Sequence, residues 1–391
     1  MKNKSGLIRY AAALLVIGIT GFYAVQWYMF RQEMVEISSE SYARRGVNYQ
    51  IIEQQQRFLS SRDTFAYLIL RDGQLIYEWY GDDDDAITTS GIASLTKALV
   101  GGMVLFKAVN DGYLNFDDFA YEALPAWKKD SQKSKIKIFH LASHSSGMED
   151  ACTLAEEATC AAWKKDYWPN RHTAKGFEIA NNLATLKYEP GKVFLYSNPA
   201  YNNVLSYLIT KSLNKTPLSN IPDYLYETIS KPLGISAKNI VINQGELVDF
   251  DNLKLAPIGG GSRFTARAAI RFGQLILNNG RWNGVSIISQ KTFDTALRAV
   301  NLPKYQGSDI EQYPRPAIGG WWLNTDKVWR KIPADTIVGA GANHQIIVIV
   351  PSKKLVAVRF GGKLGNDGWD GDFWVSLEKY LLNPLLNAVP D

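Results

Sequence analysis

The chain of 391 residues is long enough to bury a large core in one or two lobes, and with 46% hydrophobic and 21% charged residues it has an ordinary globular composition. Its net charge is +5, but Lys2, Lys4 and Arg9 supply three of those charges at the N-terminus. The remaining +2 is too little for an electrostatic nucleic-acid binder, so nucleic acid is excluded as a partner.

Tyr10 to Phe30 carries no charge. As a helix it would span roughly 30 Å, the thickness of a hydrocarbon core. The basic residues ahead of it predict an inner-membrane anchor through residues 10–30, with the rest of the chain in the periplasm. Tyr23, Trp27 and Tyr28 suit the outer interface. A signal peptide cleaved to release the chain to the periplasm is the rival reading. Residues 31–60, with Glu33, Glu36, Glu40 and Gln54 to Gln56, read as a polar stalk, helical or loose, and 61–391 as one domain.

Phe65 to Leu70 and Leu75 to Tyr80 are apolar runs on either side of Arg71-Asp72-Gly73-Gln74, a hairpin signal. Asp82 to Asp85 reads as a solvated acidic turn. Ser94 to Asn110 has helical spacing, ended by Asp111-Gly112. Residues 113–300 are mostly helices and long loops, with helical spacing in Val204 to Ser212 and Ala266 to Asn278. Strands return beyond Ile332. Gln345 to Val350, the turn Pro351 to Lys354, and Leu355 to Phe360 make a second hairpin, and Asp372 to Leu382 reads as a closing helix. Strands at both ends with helices between them predict an α+β domain: an antiparallel sheet built from the N- and C-terminal strands, with a mostly helical lobe inserted.

Ser94-Leu95-Thr96-Lys97 places an alcohol and an amine on one face of a helix start. A free hydroxyl is a poor nucleophile at neutral pH, and an adjacent amine can orient it and take its proton. The helix start adds unpaired N–H groups and positive potential for an incoming carbonyl. Ser134-Lys135-Ile136-Lys137 repeats the spacing in a solvated basic segment, so the spacing alone is weak. Tyr196-Ser197-Asn198 follows the Pro190-Gly191 turn and a short apolar run, which is how a loop residue is held over a cleft. Tyr113-Leu114-Asn115 and Tyr201-Asn202-Asn203 share the Tyr-x-Asn pattern in other surroundings.

Taken together, these segments resemble the serine β-lactamase-like family, which includes class C β-lactamases, D-alanyl-D-alanine carboxypeptidases, and related esterases and amide hydrolases. Leu141-Ala142-Ser143-His144-Ser145-Ser146-Gly147-Met148 is similar to that family's Leu-Leu-Thr-His-Thr-Ser-Gly stretch. Lys231-Pro232-Leu233-Gly234 and Phe272-Gly273-Gln274-Leu275 through Gly280-Arg281-Trp282-Asn283-Gly284 resemble its later turns and helix. The ordered matches run from about residue 64 to 385. The resemblance implies an acyl-enzyme on Ser94, a proton relay through Lys97 and Tyr196, and Asn198 binding the substrate or holding Lys97. No cofactor and no metal are implied.

The third motif departs from the lactamase pattern. Counted back from Pro351, its place falls near Thr336-Ile337-Val338, where no basic residue stands. Gly339-Ala340-Gly341-Ala342-Asn343-His344-Gln345 looks more like the subgroup of 6-aminohexanoate-oligomer hydrolases. By that analogy the amides of Ser94 and Ala342 form the oxyanion hole. Gly341, Trp322, His344 and Tyr167 are candidates to join Asn198 as substrate-binding residues, with His344 either at the cleft rim or a satisfied loop histidine. The missing cation would have paired a carboxylate of a β-lactam or peptide stem. One lysine is unequal to the ~4 kcal/mol that a standing Tyr196 phenolate needs at pH 7, so a proton shared between Lys97 and Tyr196 is expected.

The expected activity is therefore hydrolysis of a small amide or ester. A β-lactamase or carboxypeptidase is the nearest enzymatic alternative, and a non-catalytic penicillin-binding-like sensor is the alternative of another class. His140 and His144 are four apart, but no Glu follows His140, and a structural role outweighs zinc. Gly259-Gly260-Gly261 lacks the lysine of a phosphate loop and reads as a tight turn or close strand approach. Trp321 and Trp322 divide between core and cleft wall. Trp163, Tyr167 and Trp168 offer an aromatic lid or a packed staple.

Cys152 and Cys160 are the two cysteines. Outside the cytoplasm a disulfide between them persists, and closing so short a loop stabilises by roughly 2.5 kcal/mol in the chain-entropy model. Two unrelated thiols are the other possibility. Mass spectrometry without reductant is expected to find no alkylatable thiol, and two would refute the bridge.

Overall fold

Apolar residues occupy both faces of the inner strands, which a sheet tolerates only when layers cover it on both sides. In β1 (Thr64–Arg71), Tyr67 and Ile69 enter one core while Ala66, Leu68 and Leu70 enter the other. This computed structural model describes residues 46–81, 84–152, 160–298, 300, 313–365 and 372–389. β2 (Gln74–Tyr80), β3 (Arg315–Pro316), β4 (Trp321–Leu323), β5 (Ile337–Gly341), β6 (Gln345–Val350) and β7 (Leu355–Gly361) complete the sheet. Its order is β3-β4-β5-β6-β7-β1-β2, with every neighbour antiparallel.

Both expected hairpins are present. Arg71 pairs with Gln74 across Asp72 (φ +50°) and Gly73 (φ +76°), the pair of left-handed residues that matches strand twist in a two-residue turn. β7 joins β1 inside the sheet, so strands from the two ends of the domain sit side by side, as the α+β reading expected.

Helix α1 (Tyr49–Ser60) and the C-terminal helices Asp372–Leu377, Glu378–Leu382 and Asn383–Ala388 cover one face through Ile52, Leu59, Leu377, Leu381 and Leu385. The segment expected as a stalk thus differs over residues 49–60: these form a packed helix, started by the Asn48 side chain accepting from Ile51 N. Its glutamine run misleads because Gln55 is buried and satisfied. Its Oε1 accepts from Tyr67 Oη at 2.8 Å, and its Nε2 donates to the carbonyls of Tyr380 and Leu381 at 3.2 and 2.9 Å.

Between β2 and β3 lies the mostly helical lobe. Its central helix runs through Lys97–Gly102 into α2 (Met103–Asn110) and is buried along nearly all of its length. α3 (Ala266–Leu277) covers the second face of the sheet and comes so close that a Cβ on Gly273 would lie 2.5 Å from Val356 and 2.8 Å from Ile347. Cys152 and Cys160 are disulfide-bonded, with their Cα atoms 6.3 Å apart.

The expectation of a transmembrane helix is corrected. No helix among the described residues is long and apolar enough to cross a membrane. Residues 10–30, expected to do so from their uncharged length, lie outside the described residues, and the membrane assignment is withdrawn.

Removing Gln55 would strand one hydroxyl and two carbonyls in the interior. Gln55→Ala is expected to lower the unfolding free energy by about 2 kcal/mol in urea titrations, and Tyr67→Phe by about 1 kcal/mol.

Candidate active site

The lobe meets the sheet where the chain turns from Ser90–Gly91 into the central helix. Ala93 takes a left-handed φ of +46°, a strained turn for a residue with a side chain, and Ser94 follows it. Leu95 N, Thr96 N and Lys97 N then bond to the carbonyls of Ile92, Ala93 and Ser94, which starts the helix. Lys97 is 2% exposed. Its Nζ stands 3.2 Å from Ser94 Oγ, 3.0 Å from Asn198 Oδ1 and 2.7 Å from the Gly259 carbonyl. The Tyr196 hydroxyl donates to Ser94 Oγ at 3.0 Å. The structure thus brings Ser94, Lys97, Tyr196 and Asn198 together from two distant segments.

Two sequence motifs that look independent are zipped to each other. Gly191 N bonds to Ser145 O, Leu195 N to His144 O, and Ser197 N to His144 Nδ1. The His144 ring stacks on Tyr196 at 4.3 Å and on Tyr201 at 5.2 Å, so it is the shelf beneath the phenol. His140 accepts from Lys137 N and packs beneath Gly191. Tyr201, another Tyr-x-Asn match, donates to the Lys97 carbonyl.

Burial sets the proton affinities. Desolvation pushes the Lys97 amine down to about 7, partly offset by the Asp150 carboxylate. Desolvation pushes the Tyr196 phenol up, outweighing the lowering by its bond to Ser94. The combination is a neutral phenol donating to the serine oxygen, beside an amine whose hold on its proton burial has weakened. Nζ is within hydrogen-bond reach of the Asn198 and Gly259 carbonyls and of Ser94 Oγ, so a neutral amine that donates to both carbonyls has its lone pair left for Ser94.

Ser94, Lys97, His144, Phe194, Tyr196 and Trp322 line a slot of about 20 Å³, closed on the sheet side by Gly320, Trp321 and Ala340. Trp321 is the core tryptophan, and Trp322 is the half-buried wall, packed on Phe194 and Trp374. The strand facing Ser94 is β5, and Ala340 is its lining residue. Thr336 lies buried ahead of it, so the place expected near Thr336–Val338 shifts toward Gly341. No arginine or second lysine lines the slot among the described residues.

Gly341 stands against the start of the helix. A Cβ there would lie 2.4 Å from Ile92 O and 3.1 Å from Ser94 N, which places Gly341 beside the Ser94 amide. Two residues expected to bind substrate are placed elsewhere. His344 is buried with both ring nitrogens occupied, Nε2 by Phe373 O and Nδ1 by Leu364 N, and burial pushes it to about 4. Tyr167 is a core residue whose hydroxyl donates to Asn203 Oδ1, because its helix turns that face into the lobe. Of the two roles expected of Asn198, the structure shows it holding Lys97: its Oδ1 accepts from Nζ, and its Nδ2 is directed at Asp150. Asp150 was not legible as a site residue, since an acid two residues after Gly-Met carries no motif.

A sheet covered by helices on both faces, with a Ser-Lys-Tyr cluster where an inserted helical lobe meets it, defines a serine hydrolase fold of the β-lactamase type. The chain belongs to the Beta-lactamase family, whose model matches residues 52–368. That match is to the family at large, and the narrower class C assignment suggested by the motifs is dropped. Among solved structures, a protein from Bacteroides dorei provisionally named a beta-lactamase superposes with a TM-score of 0.66 at 19% identity, over 87% of this chain and 97% of that one. A protein from Bacillus anthracis provisionally named a 6-aminohexanoate-dimer hydrolase gives 0.59 at 19% identity, over 85% and 81%. A family VIII carboxylesterase gives 0.63 at 13% identity, over 86% and 97%. At these identities the likeness is one of fold. No curated protein matches the chain.

Alanine is at ease at the Gly341 φ of −137°, so a substitution there tests contact alone. Gly341→Ala is expected to cost about 1–3 kcal/mol of stability through the clash with Ile92 and Leu95. A melting temperature equal to wild type would show that the strand and the helix start can part.

Proposed function

We propose that this protein is a serine hydrolase that cleaves a small amide or ester through an acyl-enzyme on Ser94. The observation that carries this reading is the convergence of Lys97 Nζ and the Tyr196 hydroxyl on one serine oxygen, at 3.2 and 3.0 Å. Neutral Lys97 takes the Ser94 proton as Oγ attacks the carbonyl carbon. The oxyanion forms between the amides of Ser94 and Ala342, where losing one donor typically costs about 3 kcal/mol. As the tetrahedral adduct collapses, the proton passes from Lys97 through the Tyr196 hydroxyl to the leaving nitrogen or oxygen. Water then attacks the acyl carbon by the same relay and frees Ser94.

The names of the 6-aminohexanoate-dimer hydrolase and carboxylesterase neighbours support amide and ester substrates. The absence of an arginine or second lysine among the described lining residues favours an uncharged acyl group over the carboxylate-bearing acyl group of a β-lactam. The Cys152–Cys160 bridge supports a compartment outside the cytoplasm.

Intact mass after exposure to a fluorophosphonate is expected to show one adduct on wild type and none on Ser94→Ala. No adduct on folded wild type would overturn the hydrolase reading in favour of a binding domain, and slow-release acylation by a fluorescent penicillin would favour a lactamase or carboxypeptidase. Because the amine must be neutral to act, the labelling rate is expected to rise with pH and reach half its plateau near pH 7. Lys97→Ala should lower the plateau about 10³-fold, within the range for loss of a general base.

A further inference from the structure

Asp150 touches neither Ser94 nor Lys97, yet it decides which way Asn198 faces. A side-chain amide has nearly the same shape in both orientations, so its partners must choose between them. Asp150 Oδ1 accepts from Asn198 N at 2.8 Å and from Ala151 N at 2.9 Å. Its two oxygens accept from Asn198 Nδ2 at 3.3 and 3.1 Å. An ionised carboxylate only accepts, so the NH₂ end of Asn198 must face it and the carbonyl end must face Lys97. The segment bearing Asp150 is itself fixed. Glu149 N bonds to Thr185 O, Ser197 Oγ donates to Glu149 O, Lys164 pairs with Glu149 at 2.7 Å, and Cys152 is bridged to Cys160.

We propose that Asp150 is a positioning residue for this site: it locks the Asn198 carbonyl onto Lys97 and thereby aims the free valence of the amine at Ser94. The proposal rests on the reading of Lys97 as the base. Its chemistry is specific. With the amide reversed, an N–H of Asn198 would meet the amine, compete with Ser94 for its lone pair and leave one Lys97 N–H without an acceptor. Gly259 O would then be the remaining carbonyl anchor of the amine.

Asp150 also contributes charge. The groups facing it are Lys97 across Asn198, the phenols of Tyr196 and Tyr167, and Glu149 with its partner Lys164 and nearby Lys187. Lys97 is faced in addition by Tyr201, through the ring beneath it, and by His144. Burial raises the Asp150 carboxyl, and the bonds from Asn198 and Ala151 together with Lys97 oppose that rise. The Asp150 charge supports the proton affinity of Lys97, and its removal leaves desolvation less opposed.

The test is the rate of fluorophosphonate labelling at Ser94 against pH, in wild type, Asp150→Asn, Asn198→Ala and the double variant, with folding checked by circular dichroism. Asp150→Asn is expected to lower the plateau about 10- to 100-fold and to move the acid limb about one pH unit lower. Asn198→Ala should lower the plateau to a similar extent, and the double variant should be no slower than the worse single one. A folded Asp150→Asn with the wild-type plateau and limb overturns the proposal, as do plateau losses that multiply in the double variant. If Asp150→Asn does not fold, Asn198→Ala decides, since a wild-type plateau there means the amide orientation is irrelevant. Wild type that does not label at all overturns the Lys97 reading and this proposal with it, whereas labelled wild type with unaffected variants overturns the proposal alone.

Discussion

A lysine amine held out of water is the constraint on which the rest of the structure depends. An uncompensated buried ammonium costs many kcal/mol, so such a group gives up its proton, finds acceptors, or both. Lys97 does both. Its proton affinity falls to about 7, and Asn198, Gly259 and Ser94 surround the nitrogen. Each acceptor is held in turn. Gly259 is fixed by its N–H on Asn202 Oδ1, and Asn202 by its own bond to the Arg171 carbonyl. Tyr201 caps the Lys97 carbonyl, and Gly320 (φ +77°) lets the sheet side approach so closely that a Cβ would lie 2.7 Å from Lys97 Cβ.

Sheet and lobe divide the work of the site. The lobe supplies Ser94, Lys97, Tyr196 and Asn198, each held by helix starts and by the zipped His144 and Pro190-Gly191 segments. The sheet supplies a wall without charge, from Trp321 and Trp322 on β4 to Ala340 and Gly341 on β5. Alternation along residues 194–196 separates two spaces. Phe194 and Tyr196 face the narrow slot, whereas Leu195 borders a cavity of about 320 Å³ with Glu149, Asp150, Lys164 and Lys187. Glu149, Asp150, Lys164 and Lys187 thus lie behind the extended loop segment that carries the phenol, and the slot sets Ser94 and Lys97 among aromatic and apolar side chains.

The parts of this arrangement that were legible in the sequence are the ones with local signals. Asp72-Gly73 between alternating runs specifies a hairpin by its dihedral needs alone, and the Ser94–Lys97 spacing is a helix-face relation. Long-range satisfaction carries no such signal. Gln55 looks like a solvated residue in a polar run until β1 and the C-terminal helices arrive to bond it. Tyr167 and His344 have the composition of cleft residues, and only the direction of their element decides that one packs in the lobe and the other bonds to backbone at 364 and 373. Asp150 escaped notice for the same reason, since its partner lies 48 residues away.

The sheet side of the slot depends on a second buried cation that local pattern cannot reveal. Arg359, on β7, is fully buried, and its guanidinium donates to the carbonyls of Asn343, His344, Gly362 and Arg62 and to Thr64 Oγ1. Asn343 and His344 are consecutive left-handed residues, φ +59° and +55°, a costly conformation for residues with side chains. They turn the chain out of β5 immediately after Ala342, the proposed second oxyanion donor. By binding both of their carbonyls, Arg359 holds that turn from behind, while the backbone of Gly341 rests on the Ser94 helix start from the front. A fixed guanidinium has no lone pair to offer a reaction and a geometry suited to several oxygens at once. The two buried cations are therefore complementary: the one that can lose its proton stands beside the serine, and the one that cannot organises the strand opposite it.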